Sequence, residues 1–123
     1  MGVWLFVAGV NALLAVAAGA YGWHRLGGDA IFTMATHYHM FHALALLAVA
    51  WLASIRFGRA LVTVHVAGIA FLLGILLFSG TLYAFALTGS VPLEGAAPVG
   101  GALLMIGWLI IAAIGATAAF RRS

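Results

Sequence analysis

The chain has 123 residues, of which 67% are hydrophobic and 6% charged, a balance that suits neither an ordinary soluble domain nor a disordered segment. Its net charge of +3 rests on five arginines with no lysine, too sparse for the clustered cations of a nucleic-acid surface. No cysteine is present, which removes disulfides, thiolate nucleophiles and cysteine-held clusters. What remains is an integral membrane protein, read as one domain over residues 1–123.

Four apolar stretches follow in chain order, about 3–22, 38–55, 60–88 and 98–120. Each meets or approaches the roughly 20 residues that carry a helix across the hydrocarbon core. The first, VWLFVAGVNALLAVAAGAYG, has small residues that resemble a cleavage site, but it lacks a positive leading segment and its apolar run is too long for a signal peptide. It is read as a helix. The segment WHRLGGDAIFTMAT (23–36) is mildly amphipathic and predicts a connection with a short interfacial helix. The second stretch is YHMFHALALLAVAWLASI, and RFGR (56–59) turns tightly into the third, whose length predicts tilt or extension beyond the bilayer. GSVPLEGAA (89–97) leads to Pro98, suited to the first turn of the last helix. The fold class is therefore all-α: a polytopic bundle of four transmembrane helices with short loops.

Arg56, Arg59, Arg121 and Arg122 fall on one side of such a bundle, and Arg25, Asp29 and Glu94 on the other. Positive residues stay on the cytoplasmic side, so both termini are expected inside. Arginine without lysine, beside abundant Ala and Gly, points by association to a GC-rich bacterial genome. Ala8, Ala12, Ala15 and Gly19 form a small-residue stripe on the first helix, and Gly107, Ala112, Ala116 and Ala119 scatter along the last. Small residues let helices approach closely in lipid, within one bundle or between two copies; the internal reading is preferred.

Polar residues at membrane depth are costly and therefore informative. Three of the five histidines fall in HYHMFH (37–42). At 100° per residue His39 and His42 share a face, Tyr38 neighbours His42, and His37 points away toward the headgroups. His65 and Tyr83 stand eighteen residues apart, five whole turns of an unbroken helix, with Ser79 one turn before Tyr83. His42 and Tyr83, each about five residues in from an outer helix end, are expected at one level, with His42 bonded to Tyr83 or Ser79. His65 lies near the other surface. Asn11, in the middle of the first helix, needs a partner inside the bundle. Trp4, Trp23 and Trp108 fit the aromatic belt at the membrane surface.

The candidate site residues are thus His24, His39, His42, Ser79 and Tyr83. His24, His39 and His42 could converge on a metal, which needs three or four ligands at about 2 Å, but HxxH alone is a weak signal and no metal ligand is assigned. A proton relay or a quinone pocket would suit His and Tyr at a membrane surface equally. The plainer alternative is that these side chains hydrogen-bond across helices or sit among headgroups. No catalytic residue emerges: GxSxG is absent and the two carboxylates lie in loops with nothing to pair them.

GAYGWH (19–24), HYHMFHALALL (37–47), LLFSGTLY (76–83), PVGG (98–101) and GW (107–108) together resemble the four-helix membrane family called domain of unknown function 423. That family includes YgdD-like bacterial inner-membrane proteins and eukaryotic transmembrane protein 256. The resemblance spans nearly the whole chain and places His24, His42, Ser79, Gly80, Tyr83, Pro98, Gly100 and Gly101 on motif positions. Trp23 departs from the family's small residue there, and His39 from its usual Gln. The resemblance implies fold and location and carries no established activity. The resulting expectation is a non-enzymatic structural or interaction component of the inner membrane, packing against the lipid bilayer and a membrane protein partner or a second copy. The alternative is an outer-leaflet His/Tyr site for a redox cofactor, metal or quinone.

Overall fold

The computed structural model describes residues 1–121, and among them it contains helices and turns but no strand. Four helices, α1 (Gly2–Arg25), α2 (Ala30–Ile55), α3 (Gly58–Thr88) and α4 (Ala96–Phe120), are each long and apolar enough to span a bilayer. Arg122, counted above in the charge bias, lies outside the described residues.

The first connection is shorter than expected. His24 and Arg25 end α1, and Ala30–Thr36 already belong to α2, so no separate interfacial helix forms. The turn closes in four residues because Gly27 and Gly28 take φ of 60° and 75°, a region costly for any side chain. Gly28 N–H then reaches back to the Gly22 carbonyl at 3.0 Å. Asp29 supplies the N-cap of α2, its Oδ1 accepting from Phe32 N–H at 2.9 Å, which gives this loop carboxylate a structural task. Because α2 starts at Ala30, His42 lies more than three turns along the helix, deeper than a start at residue 38 implies.

α3 departs from regular geometry in its middle. Ile75–Ser79 form a π-helical turn, with Gly80 N–H bonding to the Ile75 carbonyl five residues back. One extra residue in a turn advances everything after it by about 100° relative to an unbroken helix. The expectation that His65 and Tyr83 share a face therefore fails. His65 meets Trp4 of α1, whereas Tyr83 meets His39 of α2.

The core runs through Trp4 and Ala8 of α1, Leu46 and Val49 of α2, Val64, Phe71 and Ile75 of α3, and Leu104 of α4. α1 packs along α2, α4 along α3, and the α2–α3 seam joins the two pairs. Close approach depends on glycine where backbones meet. A Cβ on Gly100 would stand 2.4 Å from the Phe78 nitrogen, so α4 presses its backbone directly on the π turn. Gly101, expected to pack equally tightly, would place a Cβ no nearer than 3.7 Å to Phe78, an ordinary contact. The α1 stripe faces inward, with Ala8 and Ala15 fully buried. On α4, by contrast, only Gly107 of the named small residues is buried; Ala112, Ala116 and Ala119 face outward.

Candidate functional site

The polar side chains of the interior gather where α2 faces its three neighbours. His39 and His42 are both buried, on the one helix face that their spacing of three gives them. His37 is exposed, as its angular position predicts.

His42 is not bonded to Tyr83 or Ser79. Its Nε2 accepts from the Trp108 indole N–H of α4 at 2.9 Å, and its Nδ1 lies 2.6 Å from the Tyr38 carbonyl one turn back. An indole nitrogen only donates, so Nε2 must present its lone pair and the ring proton sits on Nδ1, pointing at that carbonyl. Both ring nitrogens are engaged. Tyr38 lies nearly parallel to the ring at 6.0 Å, and Phe71 and Trp108 close two further sides.

Tyr83 belongs to His39 instead. His39 Nδ1 lies 3.0 Å from the Tyr83 hydroxyl and Nε2 3.0 Å from Asn11 Oδ1. The Asn11 amide nitrogen donates to the Val7 carbonyl of its own helix at 2.9 Å, which leaves Oδ1 as the acceptor facing His39. His39 therefore donates through Nε2–H, and in the neutral ring Nδ1 accepts the Tyr83 proton. This chain, Asn11–His39–Tyr83, ties α1, α2 and α3 together through three side chains. Ser79, 1% exposed at the end of the π turn, donates to the Ala35 carbonyl of α2 at 3.0 Å. Toward the other end of the bundle Trp4 N–H donates to His65 Nδ1 at 2.8 Å, a second tryptophan–histidine tie.

His24 stands apart, exposed in the last turn of α1. It does not join His39 and His42, and among the described residues no three His, Asp or Glu side chains come near enough to share a metal ion. The convergence of His24, His39 and His42 that the sequence left open is not formed, and neither buried imidazole keeps a free lone pair for a ligand bond.

Sequence reasoning missed Trp4 and Trp108, both assigned to the aromatic belt. The signal available was chemical: an indole N–H at depth needs an acceptor, and His is the acceptor type at hand. Two apolar grooves of about 570 and 580 Å³ flank the Trp108–His42 bridge. One is walled by Phe41 and Leu44, the other by Phe78, Pro98 and Met105, and Tyr38 borders both.

The comparisons with known proteins agree with a membrane protein. A family model described as "Protein of unknown function (DUF423)" matches residues 18–101. The chain belongs to this family. The matched segment holds His24, His39, His42, Ser79 and Tyr83, while Asn11 and Trp108 lie beyond its two ends. The UPF0382 membrane protein YwdK of Bacillus subtilis is 39% identical over 117 residues, covering 90% of this chain and 94% of its own. A UPF0382 membrane protein of Staphylococcus epidermidis is 38% identical over 90% of this chain and 93% of its own. One from Haemophilus influenzae is 36% identical over 89% of this chain and 90% of its own. No solved structure matches. The chain is a four-helix membrane protein of a family to which no activity is attached.

Proposed function

We propose that this protein is a non-enzymatic interaction component of the bacterial inner membrane, a small bundle that offers a lipid-facing surface to a membrane protein partner or to a second copy. The observation that carries the reading is the complete engagement of the two buried imidazoles. All four ring nitrogens of His39 and His42 are engaged, three of them across helices and the fourth on the Tyr38 carbonyl of α2 itself, so they act as ties and not as reacting groups. The grooves beside the Trp108–His42 bridge are apolar and open outward, a shape that another transmembrane helix can fill.

The competing reading, a redox cofactor, metal or quinone held by His24, His42 and Tyr83, requires His42 to give up the Trp108 bond and Tyr83 to leave His39. Purified protein in nanodiscs separates the two. We expect no visible chromophore and less than one metal or quinone per chain, and a photo-crosslinking residue at Phe41 or Met105 should yield a discrete protein adduct that the same residue at Leu13 does not. A cofactor at one equivalent per chain, or indiscriminate lipid adducts at all three positions, would overturn the interaction reading.

A further inference from the structure

At the end of the bundle that carries the termini, a groove of about 310 Å³ opens between α3 and α4. Three arginines distant in sequence meet there: Arg56 and Arg59 from the α2–α3 turn, and Arg121 from the end of α4. The only carboxylate side chains of the protein, Asp29 and Glu94, belong to the loops at the opposite end. The Nε of Arg56 is buried and has no hydrogen-bond partner among the described residues. A buried guanidinium nitrogen without an acceptor is costly, and an oxyanion is the partner its geometry suits best. The N-terminus of α3, which has no side-chain cap, opens on the same space through Arg59 and Ala60 and adds backbone donors.

Below the arginines the lining changes character. Thr63 near the start of α3 and Thr117 in the last turn of α4 donate their hydroxyls to the Arg59 and Ile114 carbonyls of their own helices, and Val64, Ala113 and Ile114 continue the wall as apolar surface. A cationic mouth above an apolar seam, at the end of membrane-spanning helices, matches a molecule with an anionic head and a hydrocarbon tail. A free inorganic anion would use the mouth and leave the seam without a role. We infer that this groove binds an anionic phospholipid, its phosphate held by Arg56, Arg59 and Arg121 and an acyl chain lying along Val64 and Ile114.

The test compares delipidated protein reconstituted with phosphatidylglycerol, with phosphatidylcholine, or in detergent with inorganic phosphate. Phosphatidylglycerol should raise the melting temperature above the phosphatidylcholine value and bind more tightly by native mass spectrometry. Each of Arg56→Gln, Arg59→Gln and Arg121→Gln should weaken phosphatidylglycerol binding about fivefold and leave phosphatidylcholine binding unchanged. Arg25→Gln, at the other end of the bundle, should have no effect. If Arg56→Gln fails to fold, the other two variants carry the comparison. Equal stabilisation by both lipids, equal loss in Arg25→Gln, or full stabilisation by phosphate alone would each overturn the assignment, the last by showing a free-anion site.

Discussion

His39 and His42 stand on one face of α2, yet His39 reaches α1 and α3 whereas His42 reaches α4. His39 works between Asn11 and Tyr83, and His42 between its own backbone and Trp108. Interhelical hydrogen bonds within a bilayer contribute about 0.6 kcal/mol on average and up to about 1.7 kcal/mol, so a residue with two of them outweighs a residue with one. His39→Ala removes two bonds and leaves a small cavity; it should lower unfolding stability by roughly 1–3 kcal/mol, against about 0.5 kcal/mol or less for exposed His37→Ala. Because His39 and Tyr83 share a bond, His39→Ala and Tyr83→Phe should be non-additive, whereas His42→Ala and Tyr83→Phe, which share no partner, should add. Double-mutant cycles in a fixed detergent decide this. Coupling on the His42 side instead would contradict the observed pairing.

Among the elements, α3 has the most consequential geometry. Its π turn sits between Gly74 and Gly80, and α4 lays Gly100 on the Leu77–Phe78 backbone within it. The wide turn redirects Ser79 to the Ala35 carbonyl and Tyr83 to His39, while His65, before the turn, still faces Trp4. One inserted residue thus lets a single helix serve α1 at one end and α2 at the other. Added bulk between two backbones has no flexible side chain to displace, and overpacking of that kind costs about 1–3 kcal/mol. Gly100→Ala should therefore lower the melting temperature clearly, and Gly101→Ala should leave it near the parent value or above it, since Ala is the better helix former. Equal effects at the two positions would remove the close contact from the account.

For the molecule as a whole, an even number of spans puts both chain ends on one side, together with Arg56, Arg59 and Arg121. The opposite side holds Arg25, Asp29 and Glu94. From the positive-inside rule we propose that the termini lie in the cytoplasm. A phosphatase fused after the C-terminus should be inactive and one inserted in the 89–95 loop active; a fluorescent reporter that folds only in the cytoplasm should give the reverse. A periplasmic C-terminus would break the topology and would place the arginine groove in the outer leaflet.

The class and the number of spans were legible in the chain alone. The bilayer imposes one requirement, long apolar helices with internally satisfied backbones, that any window of residues either meets or does not. The shared face of His39 and His42 and the divergence of His37 from it followed from helical periodicity for the same reason: they depend on one helix at a time. The partners did not follow. Pairing His42 with Tyr83 assumed an unbroken α3 and an α2 starting at residue 38, and neither assumption holds. The α2 start moved to Ala30 because Gly27, Gly28 and Asp29 complete a tight capped turn, and the phase of α3 moved because Gly100 of a distant helix packs on a turn wide enough to receive it. Which acceptor an indole N–H finds, and which imidazole a phenol meets, is decided by the relative rotation of helices, a quantity that exists only once all four are packed.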